Sequence, residues 1–201
     1  MTGAADAFWT KTKGLDYAKP RPWNAEVAAA IAKWEPASVV ELGCAAGRNL
    51  RAVRERLPEV RLLGIDIAPD AVRWGRLEWG LDLRLGGVEA LEELPRGGHD
   101  VAFTVSCVNH VQEPRKAIAA LLASARSRLL LLEPEVPGYV GVIDARHGVE
   151  PVPFTWAWDY PEMLAEAAAA MGKNIRVERF PHPLKGTRTG SLYARYEVEI
   201  L

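Results

Sequence analysis

Between Ser38 and Pro134 the chain repeats one pattern: a short apolar run, then a longer stretch whose apolar residues recur at helical spacing. The apolar runs are SVVEL (38–42), VRLLGIDI (60–67), LDLRL (81–85), DVAFTVS (100–106) and SRLLLLEP (127–134). Runs this short, bounded by Gly, Pro or polar residues, read as strands. The stretches AAGRNLRAVRERL (45–57), PDAVRWGRLEWG (69–80) and PRKAIAALLASAR (114–126) read as helices. In the second of them Pro stands at the start and Gly at the stop. Upstream, Asn24 is expected to cap a helix AEVAAAIAKW that Pro36 ends. Unbroken alternation of this kind specifies a parallel sheet with helices on both faces. The near-continuous apolar strands are what a sheet covered on both sides requires.

After Pro134 the pattern changes. Residues 134–160 are rich in Pro, Gly and aromatics, too long for a plain connection, and are expected to form a substrate-side insertion. PEMLAEAAAAMG (161–172) follows as a helix with Gly172 as its stop. NIRVERFPH and SLYARYEVEI then alternate as two strands joined by PLKGTRTG, a β-hairpin that is antiparallel because its connection is short. Residues 1–23, polar and aromatic, read as an N-terminal arm or lid. The expectation is a single domain over 1–201: one Rossmann-like, doubly wound, mostly parallel sheet with a C-terminal antiparallel hairpin.

Composition narrows the partners. The chain has 201 residues and a formal net charge of −1, which gives no electrostatic case for nucleic acid or membrane. The basic residues of the hairpin are interleaved with Glu178, Glu197 and Glu199 and read as a solvated surface rather than an RNA patch. Two cysteines, Cys44 and Cys107, cannot staple a chain this long, so a reducing cytoplasm is expected. Both are read as small buried hydrophobes. No secretory signal is legible at the N-terminus, and no apolar run approaches the roughly 18 residues of a membrane span.

Candidate chemistry gathers at strand ends. Ligands of open parallel sheets bind outside the carboxyl ends of the strands, and Glu41, Asp66 and Ser106 all fall there. The small residues from Gly43 to Gly47 let a ligand approach the backbone at the start of a helix. Asp66, closing the second strand, has the position of an acid that accepts both ribose hydroxyls of a nucleotide. The dinucleotide fingerprint fails, however, because Ala45 and Arg48 stand where it needs Gly. No Gly-Lys-Ser/Thr triplet occurs either.

VVELGCAAGRNL, GIDIAPDAV, FTVSCVNHV and the terminal hairpin together resemble the class I S-adenosylmethionine-dependent methyltransferases, from about residue 24 to 201. That resemblance implies a seven-stranded sheet and S-adenosyl-L-methionine as cofactor. It implies that Glu41 orients the glycine loop and contacts the methionine end, while Gly43, Cys44 and Gly47 line the cofactor. Asp66 would hold the ribose diol, Ile67 would pack on the adenine, and Ser106 would offer its carbonyl to the methionine ammonium. Tyr17 and Arg21 resemble lid residues. Two departures stand out: Ala45 replaces a frequent glycine and is expected to keep a negative φ, and Gly87 occupies the place of an acid, so Glu89 or backbone groups must meet the adenine amine.

The resemblance implies transfer of a methyl group to an O, N or S atom. With no appended RNA-binding domain and no basic stripe, the expected acceptor is a small molecule, a natural-product intermediate or short peptide. The alternatives are a nucleic-acid or protein methyltransferase and a nucleotide-binding module without catalysis. The acceptor pocket is expected from Trp9, Tyr17, Asn109, Tyr139, Trp156 and Trp158; the last two share a side if extended and are either pocket wall or core. His110 and His147 are the candidate bases, with packing as the other reading of His110. His99 and His182 read as surface or strand positions. A monomer or homodimer is expected.

Overall fold

The computed structural model describes residues 8–11, 17–147, 151–185 and 192–201, with the side chains of 144–147, 151–154 and 184–185 left outside that set. Helix α1 (Pro22–Ala32) leads into β1 (Ser38–Leu42), α2 (Arg48–Arg56), β2 (Arg61–Asp66), α3 (Pro69–Trp79), β3 (Leu83–Leu85) and the short α4 (Val88–Glu92). Then come β4 (His99–Val105), a 3₁₀ turn at Val108–His110, α5 (Pro114–Ser124) and β5 (Ala125–Glu135). The chain closes with β6 (Gly141–His147), β7 (Pro151–Ala157), α6 (Tyr160–Ala170), β8 (Ile175–Lys185) and β9 (Leu192–Ile200).

One seven-stranded sheet runs in the order β3-β2-β1-β4-β5-β9-β8. The pairs among β1 to β5 are parallel, whereas β9 is antiparallel to both β5 and β8. This is the expected doubly wound sheet with its terminal hairpin. Because β2 and β4 flank β1 on opposite sides, the winding order reverses there, and the carboxyl ends of β1 and β4 are where ligands of such sheets bind.

The strands are buried on both faces, as their apolar runs demand. Val40, Leu42, Ile65, Leu129 and Leu131 pack one face under Ile118 and Leu121 of α5 and Tyr160 and Leu164 of α6. Val39, Val101, Phe103 and Leu130 pack the other under Val27 and Ile31 of α1, Leu50 and Val53 of α2 and Val72 of α3. Adjacent residues such as Val39 and Val40 thus serve opposite layers, the period of two that a strand imposes. No helix among the described residues is long and apolar enough to cross a membrane.

Three local expectations change. Helix α1 starts at Pro22 with Arg21 as its N-cap, so Asn24 is not the cap but the third residue of the first turn. It still satisfies the helix end, because its Oδ1 accepts from the Arg21 amide at 2.5 Å. Helix α2 starts at Arg48 rather than Ala45, since Ala45 and Gly47 both take positive φ and cannot be helical. Within 134–160, β6 and β7 pair as a separate two-stranded sheet.

Candidate active site

The loop after β1 is shaped by close packing. Gly43 has φ 76, and a Cβ there would lie 2.3 Å from Cys107 Sγ. Gly47 has φ 84, and a Cβ there would lie 2.5 Å from Leu81 Cδ1. Both positions need glycine for conformation and for space. Ala45 does not keep a negative φ: its φ is 48. The left-handed turn aims its amide at Asp66, which accepts through Oδ2 at 2.7 Å. Asp66 Oδ1 accepts from the Ala68 amide at 2.8 Å, so one half-buried carboxylate ties the loop after β1 to the loop after β2. Burial raises the Asp66 carboxyl, and the amides of Ala68, Ala45 and Ile67 oppose that rise.

Glu41 is fully buried under this loop. Its Oε1 accepts from Asn49 Nδ2 at 2.6 Å, and Asn49 is in turn held by Asn24. Its Oε2 has no hydrogen-bond partner among the described residues. Burial pushes the carboxyl up to about 8, against the Asn49 hydrogen bond and the Arg48 charge. Arg48, met in the sequence only as a break in the dinucleotide fingerprint, lies with its guanidinium 5.5 Å from the ring centroids of both Tyr17 and Trp23. Its Nη1 is buried without a hydrogen-bond partner among the described residues. Sequence reading missed it, although a cation at the first position of α2, where the helix dipole disfavours it, is itself a signal.

The arm reaches the same edge. Trp9 packs 5.0 Å from His110 and 5.7 Å from Tyr17, ring centroid to centroid. Arg21 is exposed and sits 5.8 Å over Trp23. Beyond β2, a Cβ on Gly87 would meet Glu89 Oε2 at 3.0 Å and Ile67 Cγ2 at 3.5 Å, so Ile67 and Glu89 border one space. Glu89 also pairs with Lys116 at 3.6 Å.

After β4 the chain turns sharply. Ser106 takes φ 49; its amide donates to Leu132 O at 2.8 Å, and its Oγ lies 3.1 Å from the Tyr193 hydroxyl. The next three residues hydrogen-bond through their amides to Glu133, a buried carboxylate that sequence reading missed. The signal was present: LLLLEP ends an apolar run on an acid, as SVVEL does. Asn109 is buried, its Nδ2 lies 3.4 Å from His110 Nε2, and its Oδ1 has no partner among the described residues.

Strand β7 runs past this turn. Trp156 and Trp158 stack with centroids 6.1 Å apart and planes 12° apart, and Trp158 also packs on the core. Tyr139 stands apart, exposed on the turn before β6 with its hydroxyl donating to Val142 O at 3.0 Å. The His147 side chain lies outside the described residues. Cys44 is a buried free thiol beneath the loop, pushed up by burial. His182 lies in β8, as the strand reading expected; it pairs with Glu26 at 2.7 Å and its side chain is 6% exposed. No cluster of His, Cys, Asp and Glu that would hold a metal occurs among the described residues.

Residues 40–129 match the family described as a methyltransferase domain. No curated protein matches the chain. Among solved structures, the chain is similar to Burkholderia thailandensis 1,6-didemethyltoxoflavin-N1-methyltransferase, solved with 1,6-didemethyltoxoflavin and S-adenosylhomocysteine bound. The two share 20% identity over 90% of this chain and 77% of that one, with a TM-score of 0.62. The N-terminal domain of EvdMO1, with S-adenosylhomocysteine bound, shares 18% identity over 90% of this chain and 82% of that one, at a TM-score of 0.64. The [4+2]-cyclase SpnF shares 15% identity over 87% and 80%, at 0.63.

Proposed function

We propose that this chain, whose residues 40–129 match a methyltransferase domain, is a class I, S-adenosylmethionine-dependent enzyme that moves a methyl group to an O, N or S atom of a small molecule. One observation carries the cofactor half of this reading. A buried Glu41 with an unpartnered oxygen sits beside a loop closed to any side chain at Gly43, within the reach of Asp66. That set suits a ligand that offers donors to carboxylates and lies against bare backbone. S-adenosylmethionine, when bound, supplies a methyl group already activated on a sulfonium.

The chain's residues then divide the work. Glu41 contacts the methionine end and Arg48 is placed for its carboxylate, while the Ser106 carbonyl receives its ammonium. Gly43, Cys44 and Gly47 line the backbone side. Asp66 keeps a lone pair beyond its amide bonds for the ribose diol. Ile67 packs on the adenine, with Glu89 at its edge. Tyr17 and Arg21 close the arm over the cofactor.

On the acceptor side, Trp9, Asn109, His110, Trp156 and Trp158 form the wall, with Tyr139 at the outer rim. A methyl transfer needs alignment and exclusion of water above all. A base is required only when the acceptor must lose a proton, and His110 and His147 stand as candidates. The flat stack of Trp156 on Trp158 and the indole of Trp9 favour a planar, aromatic acceptor over a polymer. The Burkholderia enzyme, solved with 1,6-didemethyltoxoflavin bound, supports a small-molecule acceptor. The described residues of the arm (8–11 and 17–23) and of the segment 134–160 supply the lid of a single domain. The two free thiols suit a reducing cytoplasm, and the chain works as a monomer or homodimer.

SpnF has the same fold and is a cyclase, so the fold alone does not choose the reaction. Calorimetry with S-adenosylhomocysteine, S-adenosylmethionine and NAD tests the cofactor, and transfer of labelled methyl to a panel of heteroaromatic acceptors tests the reaction. NAD binding as tight as S-adenosylhomocysteine would overturn the reading.

A further inference from the structure

Glu133 has no place among the cofactor contacts, yet its carboxylate is as deeply buried as that of Glu41. Its Oε1 accepts from the amides of Cys107 at 3.0 Å and Val108 at 3.1 Å, and from the Thr104 hydroxyl at 3.4 Å. Its Oε2 accepts from the Asn109 amide at 3.3 Å. Three consecutive amides thus converge on one carboxylate. The strand register explains how: β4 ends with Val105 opposite Leu132, so Glu133 is one step past the last pair and meets the chain as it turns. Within the turn, the His110 amide donates to Cys107 O at 2.9 Å and the Val111 amide to Val108 O at 3.1 Å. Ser106 is fixed separately, by Leu132 and Tyr193.

We propose that Glu133 is the positioning residue of the acceptor side: its carboxylate sets the turn 107–110, and through it the placement of Asn109 and of His110 against Trp9, without touching either substrate. The proposal rests on the methyltransferase reading, because only there does this turn border an acceptor. Charge-assisted bonds from several amides are strong in a site without water, and their loss frees the whole turn.

Among the described residues, the groups that face this carboxylate hold no cation. They are Thr104 on β4, Cys107 on the turn, Tyr160 on α6 and Tyr193 on β9. Burial therefore pushes Glu133 up to about 7, with the amides of Cys107, Val108 and Asn109 opposing. Above that pH the turn has a full carboxylate to bond. Below it one oxygen carries a proton and an amide loses its acceptor. Folding runs the other way. With the folded value above the unfolded one, the stability this group allows is present below about 4.5 and is lost as pH rises through about 7. Turn order and this group's contribution to stability should therefore move in opposite directions with pH.

The test is amide hydrogen exchange by NMR on the full chain between pH 5.5 and 8.5, for the parent and Glu133→Gln, with S-adenosylhomocysteine binding measured in parallel. In the parent, protection at Cys107, Val108 and Asn109 should rise with pH, with a midpoint near that of Glu133, while Ser106 stays constant. In E133Q it should be on the order of 10- to 100-fold lower at high pH and independent of pH, with S-adenosylhomocysteine affinity kept. Unchanged protection in E133Q, with the ligand bound normally, overturns the positioning role alone. A parent profile flat with pH does the same, and decides the matter should E133Q fail to fold. A parent that binds no S-adenosylhomocysteine overturns the reading beneath, and the proposal with it.

Discussion

Glu41→Gln should make the ligand-free protein more stable and its cofactor site weaker. The carboxyl is completely buried, and burial raises it from 4.5 to about 8. Each tenfold change in proton affinity is about 1.4 kcal/mol, so an ionised Glu41 costs the fold on the order of 4 to 5 kcal/mol. The sign follows from linkage. Below 4.5 the group is neutral, folded or unfolded, and costs nothing. As pH rises, the unfolded chain releases its proton while the folded chain keeps it, and stability falls by about 1.4 kcal/mol per pH unit until pH is about 8. Gln carries no charge and keeps the oxygen that Asn49 bonds, but its buried amide returns part of the gain. The expected result is a variant about 2 to 4 kcal/mol more stable than the parent at pH 8 and nearly equal to it at pH 5. At about 2 to 4 °C per kcal/mol this is a readily measured rise in Tm. Calorimetric unfolding of both proteins from pH 5 to 8.5 gives a difference curve that isolates Glu41 from Glu133 and Asp66, which also titrate upward. S-adenosylhomocysteine should meanwhile bind at least about tenfold more weakly, since a charge-assisted contact is lost. A difference curve flat with pH, or a variant less stable at pH 8, would refute the reasoning.

Asp66→Ala should weaken S-adenosylhomocysteine binding by about 2 to 4 kcal/mol, read by titration calorimetry, because the ribose loses a charged acceptor. It should also lower denaturant stability by about 1 to 3 kcal/mol, since the amides of Ala45 and Ala68 lose theirs. Gly43→Ala should be severely destabilising, by at least about 2 kcal/mol in urea unfolding, because its Cβ would lie 2.3 Å from Cys107 Sγ at a left-handed φ. Ala45→Gly should raise the urea midpoint, by about 1 kcal/mol or less in stability, as the left-handed strain at φ 48 is relieved and the added chain freedom offsets part of it.

The sheet was legible because its strands are apolar on both faces and its helices are marked by Pro and Gly. Short apolar runs such as SVVEL cannot sit anywhere but between two layers. The terminal hairpin was legible from strict alternation in SLYARYEVEI, whose Ala194, Tyr196 and Val198 are the buried members. Strands β6 and β7 were not, because two register shifts near Asp144 and the prolines 151 and 153 erase the period of two. The start of α1 was misplaced since Pro22 already has the φ of a first helical residue, and Asn24 could cap from inside. Asp66 and Glu41 were found by position at strand ends. Arg48 and Glu133 were not, because each acts through neighbours distant in sequence: Tyr17 and Trp23 for one, the turn 107–109 for the other. No spacing rule links such partners before the fold brings them together.

Costly features cluster on one edge of the sheet, and that clustering locates function independently of any motif. Among the described residues three non-glycine residues take positive φ: Glu35, Ala45 and Ser106. Glu35 is an exposed turn residue before Pro36, where such a conformation costs little that packing must repay. Ala45 and Ser106 instead follow β1 and β4 at their carboxyl ends, beside two fully buried carboxylates that burial drives toward neutrality. At the opposite edge the comparable acid, Asp100, accepts from the amides of Ala37 and Ser38 and pairs with Arg126, with no sign of strain. A chain selected for stability alone would not gather packed left-handed residues and fully buried carboxylates at one end of its sheet. Strain of this kind persists where the surroundings fix it and a ligand uses it. The carboxyl edge is therefore the place where a bound cation or hydrogen-bond donor would relieve the most unfavourable energy, and a ligand that meets Glu41 should raise Tm more at pH 8 than at pH 6, where Glu41 is closer to neutral.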